Sequence, residues 1–195
     1  MGGLTSVLAP IAFVNETVLR LGRAVGVVAI ALMVIAILIQ VFFRYVLGNA
    51  LPWPDEAARF CMLWMTGLMA PTAFRRGGFV AIDMVPLMLP RGIGQTLNIL
   101  LLLVSLAVLL VAVNIGWSEV TGFGGKFATA ALYLPTSFGF DEWYRIPRSW
   151  MMASLLVGVI LLISVNIELI LRAVVTLLGG GHLLPEIADA PVGAE

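Results

Sequence analysis

Four stretches of this chain run apolar for most of a membrane's thickness: Ala24–Phe43, Ala57–Phe74, Thr96–Trp117 and Trp150–Ile167. A helix rising about 1.5 Å per residue needs ~20 apolar residues to cross a ~30 Å hydrocarbon core. Three stretches reach or approach that length, and Ala57–Phe74 sits at the short end. Only Arg59 intrudes, near an end, where a long side chain reaches the interface. The pattern predicts an all-α integral membrane protein with four transmembrane helices, spanning about 24–46, 55–76, 94–117 and 149–171.

The polar positions between the spans predict the rest. Leu4–Leu21 carries Leu8, Ile11, Phe13, Val14, Val18 and Leu21 loosely on helical spacing, interrupted by Asn15, Glu16 and Arg20. It is expected as an N-terminal amphipathic helix in the interface, turning into the membrane near Arg20 and Arg23. Gly22-x-x-x-Gly26 is a small-xxx-small pair, although glycine is common in membrane helices. Phe42, Phe43 and Tyr45 suit an aromatic belt beside Arg44. After the turn at Gly48–Pro52, Pro54, Asp55 and Glu56 suit a helix start. Phe79–Pro90 holds Asp83, Pro86 and Pro90 and is expected to lie at the interface between spans two and three. The 118–149 connection is long and broken by Gly122, Gly124, Gly125 and Pro135. Its seven aromatic residues predict order against the membrane or a partner. Glu168 and Arg172 are expected to pair beyond the bilayer, in water. The whole reads as one membrane domain over 1–178, with 179–195 as a flexible cytoplasmic tail.

Composition narrows the function. Of 195 residues, 61% are hydrophobic and 11% charged, where a soluble domain carries roughly a quarter charged residues. Eleven basic and eleven acidic residues balance, so no basic excess points to nucleic acid. Cys61 is the single cysteine and His182 the single histidine, which excludes an internal disulfide and a bis-histidine haem, and argues against a Cys/His metal site. No cofactor is expected. Met1–Pro10 lacks a charged n-region, so Ala24–Phe43 is expected as a retained span. Cytoplasmic termini would put Arg20, Arg23, Arg75, Arg76, Arg91 and Arg172 inside and Arg44, Arg59, Lys126, Arg145 and Arg148 outside. The compact Arg75–Arg91 loop tips this near-even split towards both termini in the cytoplasm.

Two groups of polar residues stand out. Arg44, Asp55, Glu56 and Arg59 are expected to form one structural cluster at the outer surface, with Trp53 packed against it. The plain account of the carboxylates is helix capping plus an i,i+3 pair between Glu56 and Arg59. Asp141, Glu142, Arg145 and Arg148 are exposed charges suited to a transient protein contact. Neither group has the nucleophile or metal set of an enzyme. A self-contained carrier or channel would need pore-lining polar groups, and Gln40, Asn98, Asn114 and Asn166 are the amide candidates within or bordering the spans. Such amides more often join helices. A membrane anchor of a redox complex is the other rival.

Phe42–Phe43–Arg44–Tyr45, Trp53–Pro54–Asp55–Glu56–Ala57–Ala58–Arg59, Trp64, and the exit Arg75–Arg76–Gly77–Gly78–Phe79–Val80–Ala81–Ile82–Asp83 lie in the order of the four spans. In this the chain resembles the small membrane subunit of tripartite ATP-independent periplasmic (TRAP) transporters, the DctQ-like family, over most of Arg20–Arg172. Relatives often carry a histidine near the place of Phe79, and the 118–149 connection is longer than usual. The resemblance implies a subunit of the bacterial inner membrane. Its expected partners are a large permease subunit, a periplasmic substrate-binding protein and membrane lipid. The large subunit would carry an organic anion, often a carboxylate, in ion-coupled uptake, with the small subunit as a scaffold. Carriers place substrate and ion sites near the midplane on polar, interrupted helices. The four apolar stretches have no charge at their centres, which fits a scaffold.

Overall fold

In a computed structural model, which describes residues 2–77, 90–135 and 143–180, the apolar stretches fold as four helices. These are α1 (Gly2–Tyr45), α2 (Trp53–Arg75), α3 (Arg91–Thr121) and α4 (Ser149–Leu177). A short 3-10 turn (Phe123–Lys126) and a two-stranded antiparallel hairpin, β1 (Ala128–Pro135) with β2 (Trp143–Pro147), join α3 to α4. α1 packs on α2 and also touches α4, α2 packs on α4, and α4 packs on α3. The helices are therefore arrayed in the order α1, α2, α4, α3. Three of them, over Leu8–Tyr45, Gly92–Thr121 and Ser149–Leu177, are long and apolar enough to cross a membrane. α2, which carries Asp55, Glu56, Arg59 and Arg75, is the exception.

One expectation about the N-terminal segment needs correction. α1 is continuous for 44 residues, about 66 Å, with no turn near Arg20 and Arg23. Pro10, the one proline inside it, lies within the first three turns, and no later residue interrupts the backbone hydrogen bonds. Of the apolar positions of Leu4–Leu21, Leu8 is buried and Ile11 half-buried. Phe13, Val14, Val18 and Leu21 point outward, and the buried positions are Leu8, Ala12, Asn15, Leu19, Gly22, Gly26, Ala29, Ala36 and Gln40. Their spacing alternates between four and three, with half-buried Met33 filling the one gap, which is the repeat of a left-handed helix seam. The seam is built from small and polar residues because lipid already solvates the bulky apolar ones. Close approach and hydrogen bonding then decide which face turns inward.

Glycine sets the helix spacing in two places. A Cβ on Gly26 would stand 2.8 Å from Met69 Cγ of α2, so the Gly22–Gly26 pair does face a neighbouring helix. α2 and α4 meet more tightly still. A Cβ on Gly158 would lie 2.8 Å from both the Cα and the carbonyl oxygen of Gly67, and one on Gly67 would collide with the Ser154 carbonyl. The backbones of α2 and α4 are in direct contact there.

The hairpin departs from the all-helical expectation. Thr129, Tyr133, Trp143, Tyr144 and Ile146 are residues that favour strands. Thr129 and Ile146 are buried, and the Thr129 hydroxyl donates to the Ile146 carbonyl at 2.8 Å. Between the Ala128↔Pro147 and Tyr133↔Arg145 pairs, β1 advances five positions while β2 advances two. Three residues of β1 are thus pushed out as a bulge. Most of Phe79–Pro90, the expected interfacial segment, and 181–195 of the expected tail lie outside the described residues.

Candidate functional site

Polar side chains gather at the two ends of the helix array. The first group lies where α1 passes over α2 and α4. Glu168 of α4 and Arg75 of α2 are buried, at 0% and 7% exposure. Arg75 Nη2 donates to Glu168 Oε1 at 2.9 Å, and Arg75 Nε donates to Oε2 at 3.1 Å. The guanidinium also reaches α1, where its Nη1 meets Glu16 Oε2 at 2.5 Å. Arg172 Nε donates to Glu168 Oε1 at 3.0 Å from one turn along α4. Asn15 completes the set, donating to Glu168 Oε2 at 2.8 Å and accepting from the Ser164 hydroxyl at 2.6 Å. Two carboxylates face two guanidiniums, and three helices are joined.

The pair Glu168–Arg172 is present, but not in water as expected. α1 runs on past the apolar stretch and roofs it with Asn15 and Glu16. Counting about 1.5 Å per residue, Arg75 stands ~33 Å along α2 from Trp53, and Glu168 ~28 Å along α4 from Ser149. Both distances are close to one hydrocarbon thickness, and the network lies at the end of the helix array opposite the hairpin.

The second group surrounds the start of α2. Gln40 Nε2 of α1 lies 3.4 Å from Asp55 Oδ2, linking the first two helices. Glu56 turns to the hairpin. Its Oε1 accepts the Ala130 N–H at 2.8 Å, and its Oε2 accepts the Ala131 N–H. Consecutive N–H groups reach one carboxylate because both sit in the bulge, where they are released from the strand ladder. Arg145 holds the other side of that bulge: its Nη2 donates to the Ala130 carbonyl at 2.7 Å, and its guanidinium lies 5.4 Å from the Tyr133 ring centre. A cleft of about 540 Å³ separates α2 from β1, lined by Trp53, Asp55, Glu56, Arg59, Ala130 and Tyr133 among others.

The residues singled out in the sequence are therefore distributed as follows. Trp53, Asp55, Glu56 and Arg59 share this cleft, while Arg44 lies over the Tyr45 ring at 5.8 Å. No salt bridge joins Arg44 or Arg59 to Asp55 or Glu56 among the described residues. Arg145 is bound into the hairpin, and the Arg148 backbone N–H donates to the Phe127 carbonyl at 2.8 Å, where the chain enters α4. Asp141 and Glu142 lie outside the described residues. The buried network Asn15–Glu16–Arg75–Ser164–Glu168 was not foreseen, because its members stand up to 153 residues apart. The available signal was the placing of Asn15, four residues before Leu19, on the small-residue repeat of α1.

No match was found among the curated proteins. A family model described as "Tripartite ATP-independent periplasmic transporters, DctQ component" matches residues 33–176. That interval runs from the C-terminal third of α1 almost to the end of α4. It takes in the Arg75 and Glu168 pair and the whole hairpin, but leaves Asn15 and Glu16 outside. The chain belongs to the DctQ family of tripartite ATP-independent periplasmic transporter components.

Proposed function

We propose that this chain is the small permease subunit of a TRAP-type transporter and serves as a fixed scaffold for the large permease subunit. The large subunit then carries an organic anion, delivered by a periplasmic binding protein, in ion-coupled uptake. In this reading all four helices cross the inner membrane, both termini are cytoplasmic and the hairpin is periplasmic. The observation that carries the scaffold role is the state of the buried charges. Glu168 and Arg75 are paired, hydrogen-bonded and tied to α1 and α4, at one end of the array. An ion or proton path needs groups that exchange partners near the midplane. A fully engaged network instead resists rearrangement, because removing either partner strands a buried charge.

The amides support the same reading. Asn166 donates to the Leu102 carbonyl of α3 at 3.2 Å, Gln40 reaches Asp55, and Asn114 donates to Leu110 in its own helix. Asn166 and Gln40 thus join elements, Asn114 is satisfied within its own helix, and the three do not line one conduit. The periplasmic role falls to the bulged hairpin, bonded by Glu56 and Arg145, with Asp141, Glu142 and Arg148 as the charges for a transient contact with the binding protein. The test is co-expression with a tagged large subunit. In mild detergent the small chain should follow the tag in constant ratio, and failure to follow it would refute the scaffold role.

A further inference from the structure

α2 and α3 stand on either side of α4, and a cleft of about 300 Å³ opens between them. Arg75 and Arg172 stand at one end, and Gln95, Asn98 and Ser105 line the α3 wall. Spaced three and seven residues apart, these three fall on one stripe of the helix. They stand about 6, 10 and 21 Å along α3 from its start, so the stripe runs from the interface towards the midplane.

What sets the stripe apart is how its side chains are bonded. Elsewhere on α3, Thr96, Asn114, Ser118 and Thr121 satisfy themselves on carbonyls of their own helix, at 2.7 to 3.2 Å. Gln95, Asn98 and Ser105 make no hydrogen bond among the described residues. At membrane depth no lipid tail supplies a partner, and polar side chains there hydrogen-bond across helices. The guanidiniums at the end of the cleft are already committed. Arg75 and Arg172 share Glu168, and Glu16 bonds Arg75 in turn, so both guanidiniums at the cleft already hold carboxylate partners.

We propose that the α2–α3 cleft receives a membrane helix of the large permease subunit that presents amide or hydroxyl side chains to Gln95, Asn98 and Ser105. This rests on the scaffold reading and names where the scaffold is gripped. Neutral hydrogen bonding between small polar groups would fix register at the interface without burying a new charge.

The experiment uses the co-expressed complex with the large subunit tagged and a photo-crosslinking benzoylphenylalanine placed in this chain. Positions 98 and 105 report the cleft, while positions 103 and 110 point away from it on the same helix. The expected result is an adduct with the large subunit from 98 and 105, at least tenfold above that from 103 and 110. Equal labelling, labelling only from 103 and 110, or adducts with lipid alone would overturn the proposal. Co-purification of the unmodified chain is scored in parallel, so a wrong cleft is distinguished from a wrong scaffold. A second variant avoids the bulky probe. Asn98→Leu with Ser105→Ala should lower the co-purified small subunit several-fold, while its own helicity and yield stay unchanged. An unaltered ratio would also refute the helix-docking role.

Discussion

Arg75 and Glu168 join helices across 93 residues of sequence, and they make the sharpest single-residue prediction. Leaving one partner of a buried ion pair uncompensated costs about 3–5 kcal/mol. Arg75→Met or Glu168→Leu should each lower the unfolding midpoint of the detergent-solubilised protein markedly. The double variant should cost less than the sum, since no buried charge is then stranded on that pair. Additive losses would mean that the two residues act independently. At the other end, Glu56→Ala leaves the Ala130 and Ala131 N–H groups without their acceptor. Their hydrogen exchange should accelerate roughly tenfold or more, from a penalty of about 1–3 kcal/mol. Because Glu56 bonds to backbone rather than to Arg59, exchanging the charges with Glu56→Arg and Arg59→Glu should not restore what either single change loses. Restoration of the complex by that exchange would show a direct pair. The sequence marks Glu56 as a polar residue near a helix start, but its partners lie in a bulge 74 residues away. Helical spacing predicts local partners and is blind to such contacts.

At the scale of elements, the helices themselves were legible and their facing was only partly so. A run of ~20 apolar residues names a span whatever it packs against. Which side turns inward is decided by small residues, and Phe13, Val14, Val18 and Leu21 stand on the outward side. The repeat Ala12, Asn15, Leu19, Gly22, Gly26, Ala29 held the answer, as did Gly67 and Gly158 at the α2–α4 contact. Gly158→Val should therefore cost about 1–3 kcal/mol through overpacking. The loss should appear as lower thermal stability, with secondary structure kept up to the transition. Wild-type stability would contradict the close α2–α4 approach. The hairpin was legible only as an ordered, aromatic connection. Its strands are short, interrupted by a bulge, and paired across residues with no tight-turn signature between them.

At the scale of the whole molecule, the array α1–α2–α4–α3 has a closed side and an open one. α1 seals α2 and α4 through its seam and the charged network, whereas α3, among the described residues, packs chiefly on α4 and leaves the cleft wall of Gln95, Asn98 and Ser105 open. In the proposed reading, the open cleft beside α3 is the side left for the large subunit. The family was legible from the Arg–Tyr and Trp–acid–acid–Arg segments, yet those residues do not form the buried network that holds the helices together. The central claim is that this chain supports transport without performing it. The most direct measurement is organic-anion uptake into proteoliposomes charged with the loaded binding protein and an inward ion gradient, made with this chain alone, the large subunit alone and the two together. Uptake is predicted only when both are present, and to fall with Arg75→Met as far as co-assembly falls. Gradient-driven uptake by this chain alone would contradict the account.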